Sequence, residues 1–169
     1  HLLQSALKMV LGDTVSQAGS LNDTSRLRFD FTYPKAMTTA QIDEVEDLVN
    51  SMISRGIAGN VEELPIDQAK NKGAIAMFGE KYGDVVRVVS FSDVSVEFCG
   101  GTHVRNTADI GSFYIVKESG VSAGVRRIEA VCGTSAIAYT KEIINSMNEI
   151  KAEIKNNDVI ADRKSTRLN

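Results

Sequence analysis

"VVRVVSFSDVSVEFCGGTHV", residues 85–104, is the stretch from which the rest of the chain can be read. Its first part is crowded with valine and phenylalanine. A Ser-Asp step at 92–93 then separates two short runs, which predicts strands at "VVRVVSF" and "VSVEF". The end of the stretch is of another kind. Cys99 and His103 stand four positions apart with Gly100, Gly101 and Thr102 between them. The whole chain has two histidines, His1 and His103, and two cysteines, Cys99 and Cys132, so one of each falls in this turn.

Further along, "IGSFYIVKES" (110–119) and "GVRRIEAVC" (124–132) have the same β-branched and aromatic character. With the first two runs they are expected to form one consecutive antiparallel sheet. Earlier in the chain, Leu27, Phe29 and Phe31 alternate with Arg26, Arg28 and Asp30, the pattern of a half-buried strand, and "TVSQAGSL" (14–21) reads as its hairpin partner or a turn into it. Helices are expected at both ends and in the middle. Leu3, Leu7, Val10 and Leu11 share a face before Gly12. Ile42, Val45, Leu48, Val49, Met52 and Ile53 form a stripe between a Thr38 or Thr39 cap and Gly56. Asp67 is expected to cap a short helix through Lys72, and Pro65 puts "VEELPI" at a sheet edge. A long amphipathic helix starts at Thr134 or Ser135 and carries Ile137, Ile143, Ile144, Met147, Ile150 and Ile154. Sheet runs bracketed by helices give an α+β fold. The expected division is a domain over 1–133, a helix over 134–157 leading toward a next domain, and a disordered or non-native tail over 158–169.

The 169 residues suffice for one domain and a sizeable core. A net charge of −3 means that any nucleic-acid contact must be local. Two cysteines make no disulfide scaffold and suit a reducing, cytoplasmic setting. No apolar run reaches the ~20 residues of a membrane span. The chain begins with His1 rather than methionine and is read as a fragment of something longer.

For Cys99 and His103 two chemistries compete. Zinc takes cysteine sulfur and histidine nitrogen, and a catalytic zinc keeps three protein ligands and one open position. Alternatively, a histidine could activate the thiol as a nucleophile. Both readings need further groups, and His1, at the head of an apolar helix, is a candidate third ligand. A partner on the same helix would stand four residues away, where Ser5 is a poor ligand and the preceding position lies before the chain begins. Cys132 lacks such neighbours and is expected to be a small buried hydrophobe. Arg126 and Arg127 are candidates for phosphate or simply solvent-facing strand residues.

The segments "HLLQSALKMVLGDTVSQAGSL", "LRFDF", "FGEKYGDVVRVVSF", "VEFCGGTH" and "GVRRIEAVCG" together resemble the editing domain of alanyl-tRNA synthetases, in that order and over roughly residues 1–155. The resemblance implies one Zn2+ held jointly by an H-x-x-x-H helix and a C-x-x-x-H turn. His1, Cys99 and His103 match three of those ligands, and the first histidine of the helix has no counterpart here. It further implies that Gln17 lines the editing pocket and that Gly100, Gly101 and Thr102 form the turn between ligands. The implied reaction is hydrolysis of the ester on tRNA(Ala) mischarged with serine or glycine, with Arg126 and Arg127 as candidates for holding the acceptor end. The implied parent is an alanine–tRNA ligase with an upstream ATP- and alanine-binding domain, which this chain does not match. This chain should therefore not activate alanine by itself. Two other readings remain at this point: a free-standing editing hydrolase, and a non-catalytic zinc module that binds RNA.

Overall fold

The structure, a computed structural model, describes residues 1–76 and 82–154. In chain order the elements are α1 (Leu2–Leu11), β1 (Gln17–Asn22), β2 (Leu27–Thr32), α2 (Thr39–Ser54), β3 (Asn60–Pro65), α3 (Ile66–Asn71), β4 (Val85–Phe91), β5 (Ser95–Phe98), a 3-10 turn (Thr107–Ile110), β6 (Phe113–Ser122), β7 (Val125–Cys132) and α4 (Gly133–Glu153). The fold is α+β, with antiparallel sheets and a long C-terminal helix.

The expected single sheet is two sheets. One has the order β1-β2-β7-β6 and the other β3-β4-β5. The reason lies in side-chain matching. On β2 and β7, Leu27 faces Ala130 and Phe29 faces Ile128, so the apolar sides of the two strands coincide. β5 and β6 are separated by residues 99–112, which hold the Cys/His turn and the 3-10 turn instead of a hairpin. β4 and β5 pair with β3, whose Pro65 sits at the sheet edge as expected.

The main core lies between the four-stranded sheet and α1 with α2. Leu3, Leu7, Phe31, Val45, Val49, Phe113 and Ile128 are all buried there. Phe31 and Ile128 are fully enclosed, each worth ~1.5–3 kcal/mol by removal from water. A second, smaller core holds Ala69 of α3 against Val86, Val88 and Phe98. Period-2 alternation turns the opposite face of β5, carrying Ser95, Glu97 and Cys99, away from that core.

Local chemistry sets the helix ends. Thr38 forms a capping box with Gln41 and starts α2. Gly56, at φ 62°, follows its last turn. α3 begins at Ile66 with Asp67 inside its first turn, so Asp67 is not the cap, and the helix ends at Asn71. α4 begins at Gly133, one residue earlier than expected, and only Ala136 is buried on it, while Ile137, Ile143, Ile144, Ile150 and Ile154 are exposed. The expected helix end at 157 and the expected tail at 158–169 lie outside the described residues. No helix among the described residues is long and apolar enough to cross a membrane.

Candidate metal centre

β4 and β5 deliver Cys99 and His103, and α1 delivers His1. Cys99 directly follows β5, and its N–H donates to the Arg87 carbonyl on β4 at 3.1 Å. His1 stands at the N-cap position of α1 and its carbonyl accepts from Ser5 N–H at 3.0 Å. Ser5 Oγ in turn donates to the Val94 carbonyl at 2.8 Å, which fastens the first turn of α1 beside the start of β5.

Three donors thereby converge. The ligand atoms of His1, Cys99 and His103 all lie within 4.8 Å of one another, and the two histidine Nε2 atoms are 3.0 Å apart. Their rings meet edge to face, with centroids separated by 4.7 Å. Two imidazole nitrogens and a thiol directed at one point form a donor set suited to zinc. Burial holds the His103 imidazole below its usual pKa, and the Arg87 guanidinium adds to this, so the neutral, ligand-competent form prevails at neutral pH. His103 Nδ1 is buried without a hydrogen-bond partner among the described residues.

The turn itself is fixed from behind. Arg87 donates to the Cys99 carbonyl at 2.5 Å and the Gly101 carbonyl at 2.8 Å. The N–H groups of Gly100, Gly101 and Thr102 have no acceptor among the described residues. Neither Gly100 nor Gly101 takes a positive φ. At Gly101 an added side chain would meet both donors only at ordinary van der Waals distance. A Cβ there would stand 3.6 Å from Cys99 Sγ and 3.7 Å from the His103 ring, in contact with both donors.

One pocket is lined by two of the donors, and another by Glu97, the neighbour of His1. A largely apolar cleft of about 400 Å³ is lined by His1, Thr102 and His103, with Phe91, Asp109 and Cys132 among its other walls. A smaller pocket of about 170 Å³ is lined by Gln17, Gln4, Lys8 and Glu97. Gln17 therefore sits apart from Thr102, on the Glu97 side. Its Nε2 donates to Ser20 Oγ at 3.0 Å, which leaves Oε1 as an acceptor. Cys132 is exposed at the cleft wall and is not the buried hydrophobe expected, because it is the last residue of β7, where the chain turns into α4. The surrounding protein still raises its thiol pKa by desolvation.

Arg126 and Arg127 are not brought to the donors. Adjacent strand residues point to opposite faces. Arg126 grips Glu118 through two nitrogens, and Arg127 grips Asp30 in the same bidentate way. A tRNA contact by both residues would use two separate surfaces.

Ser95, Glu97 and Arg87 were missed by the sequence reading. Glu97 Oε2 lies 3.4 Å from His1 Nδ1, and Ser95 Oγ lies 3.3 Å from the same nitrogen. The available signal was the two-residue spacing of Ser95, Glu97 and Cys99, which places polar groups on the ligand-bearing face of one strand.

Residues 86–129 match the sequence profile of the threonyl and alanyl tRNA synthetase second additional domain. The chain is 89% identical over 160 residues to an alanine–tRNA ligase of Aliarcobacter butzleri (strain RM4018), a match covering 95% of this chain and 19% of that protein. It is 58% identical over 161 residues to the alanine–tRNA ligase of Sulfurovum sp. (strain NBC37-1), and likewise 58% identical over 161 residues to that of Helicobacter pylori (strain HPAG1). Both matches cover 95% of this chain and 19% of the relative, so the chain spans about a fifth of the curated relatives it matches.

Proposed function

Related over 95% of its length to one segment of the alanine–tRNA ligases, this chain is, we propose, their editing portion: a zinc-assisted esterase that removes serine or glycine wrongly attached to tRNA(Ala). The observation that carries the proposal is the convergence of His1, Cys99 and His103, two of which line a cleft. Ligation of alanine, with its ATP, is assigned to the remainder of the relatives' length. The setting assigned is the cytoplasm, where charged tRNA is used.

An aminoacylation pocket cannot strongly reject serine or glycine in place of alanine, since such differences are worth only ~1–3 kcal/mol. A second, hydrolytic site corrects the error. His1, Cys99 and His103 would hold zinc, which when bound supplies a Lewis acid able to orient the ester and lower the pKa of a water. The chain's own groups then divide the remaining work. The N–H groups of Gly100, Gly101 and Thr102, without an acceptor among the described residues, would donate hydrogen bonds to the negative charge developing on the ester oxygen. The smaller pocket suits a seryl or glycyl group, and the larger apolar cleft suits the terminal nucleoside of the acceptor end. Serine is larger than alanine, so exclusion by size cannot spare alanine. Gln17 Oε1 is the assigned acceptor for the serine hydroxyl. Any part played by Arg126 and Arg127 would be peripheral, through guanidinium groups already held by carboxylates.

The test is deacylation of Ser-tRNA(Ala) and Gly-tRNA(Ala) by the chain, with added zinc and with chelator. Zinc-dependent hydrolysis is expected, and it should strengthen in a chain extended to place a histidine four residues before His1. Q17A should slow serine release about tenfold or more while leaving glycine release within a few-fold, the scale of one lost polar contact. A folded, zinc-loaded chain that hydrolyses neither substrate would point to the non-catalytic RNA-binding reading.

A further inference from the structure

His1 contacts more than the donor cluster. Its two ring nitrogens face different kinds of partner. Nε2 points at His103 Nε2, 3.0 Å away, within the convergence point. Nδ1 faces the Glu97 carboxylate at 3.4 Å and the Ser95 hydroxyl at 3.3 Å. Ser95 Oγ itself donates to Glu97 Oε1 at 2.8 Å, so its proton is committed to the carboxylate and its lone pairs are what it offers His1. Both partners of Nδ1 therefore act as acceptors. An imidazole in that position carries its proton on Nδ1 and presents a lone pair at Nε2, which is the form a metal needs.

The packing makes this arrangement selective. The His1 side chain is 16% exposed and that of Glu97 13%, so water competes weakly for the contact. Ser95 is buried. Ser95 and Glu97 stand at alternate positions of β5, and His1 is the N-cap residue of α1. His103 has no equivalent, since its Nδ1 is buried without a partner among the described residues. Orientation of the two rings is therefore unequal, and the Glu97 side supplies it.

We propose that Glu97, braced by Ser95, is the positioning residue that fixes the Nδ1–H tautomer and ring orientation of His1 and so prepares the three-donor set to take a metal ion. This rests on the metal reading above, but its first consequence belongs to the metal-free protein. Carboxylates bonded to a ligating histidine generally contribute about 10–100-fold in metal affinity. Because Glu97 also lines the Gln17 pocket, it links the donor cluster to the smaller pocket.

The experiment has two readouts on the same samples. Nitrogen-15 correlation spectra of the metal-free chain report the His1 tautomer directly. Zinc affinity follows from competition with a chromogenic chelator. The wild type should show the Nδ1–H form. E97A should show a mixture of tautomers and bind zinc about 10–100-fold more weakly. E97Q keeps an acceptor oxygen and should fall between them, and it serves in place of E97A should that variant fail to fold. S95A should weaken binding less than E97A. A wild-type Nε2–H tautomer would overturn the proposal, as would E97A and E97Q both binding zinc within about twofold of the wild type. If the wild type binds no zinc at all, the metal reading falls, while the tautomer measurement still decides what Glu97 does to His1.

Discussion

Asp30 shows what a single side chain can and cannot contribute. It is a buried carboxylate on the sheet, held by the Arg127 guanidinium, and that hydrogen bond keeps its pKa below the usual carboxylate value. A depressed folded-state pKa adds stability above the unfolded-state value and loses it as pH falls through the folded one. R127A should therefore raise the Asp30 pKa and move the acid-unfolding midpoint to higher pH, followed by circular dichroism across an acid titration. An unchanged midpoint would mean that Arg127 is a bystander there. The same pair gives Arg127 a structural partner beside the phosphate and solvent readings. A fork-shaped cation opposite a carboxylate is invisible until the register of β2 and β7 places Asp30 directly across from it. The metal candidates were easier to see. Histidine and cysteine are so scarce here that their positions alone singled out the turn, whereas Glu97 is one acid among 22 acidic residues and gains meaning only from its distance to His1.

Helix α2 illustrates the next scale, because it does two things at once. Its apolar stripe fills the main core, as the 3.6-residue period foretold. Its polar side chains also cover the edge of the four-stranded sheet. Asn50 accepts from Phe113 N–H at 2.9 Å and donates to the Phe113 carbonyl at 2.8 Å, and Glu46 accepts from Ile115 N–H at 2.6 Å. β6 is an edge strand, and these bonds occupy backbone groups that would otherwise be open for pairing. N50A leaves two main-chain groups of Phe113 unpaired and should cost ~1–3 kcal/mol in urea unfolding. Burial raises the Glu46 pKa. The folded state then binds the proton more readily than the unfolded one, so this group lowers stability as pH rises through the window between the two values. E46Q should retain the bond to Ile115 and remove that pH dependence, which unfolding curves at several pH values would show. Periodicity revealed that α2 is a helix and which face is apolar. It did not reveal where Asn50 and Glu46 would land, because that depends on how the helix crosses the sheet.

At the scale of the molecule, the division into two sheets is what creates the site. Had β4 to β7 formed one continuous sheet, residues 99–112 would be a hairpin connection. Instead that segment crosses between sheets, and its first residues meet the head of α1. The strands themselves were legible from composition, but their partners were not, since pairing depends on which apolar faces match across the chain. The main core should carry most of the stability. F31A, at a fully enclosed position shared by the sheet and the helices, should cost ~3–5 kcal/mol by chemical denaturation. A loss below ~1 kcal/mol would show that the sheet and helices are not cooperatively packed there.

The proposed metal centre requires three side chains, from the head of α1 and from the turn after β5, to meet at one ion. Cobalt(II) titration of the metal-free chain tests this directly, because a thiolate ligand gives a near-ultraviolet charge-transfer band and a low-symmetry site gives visible d–d bands. The expected result is one equivalent bound, with the charge-transfer band present in the wild type and absent in C99S. No binding, or a spectrum unchanged in C99S, would contradict it.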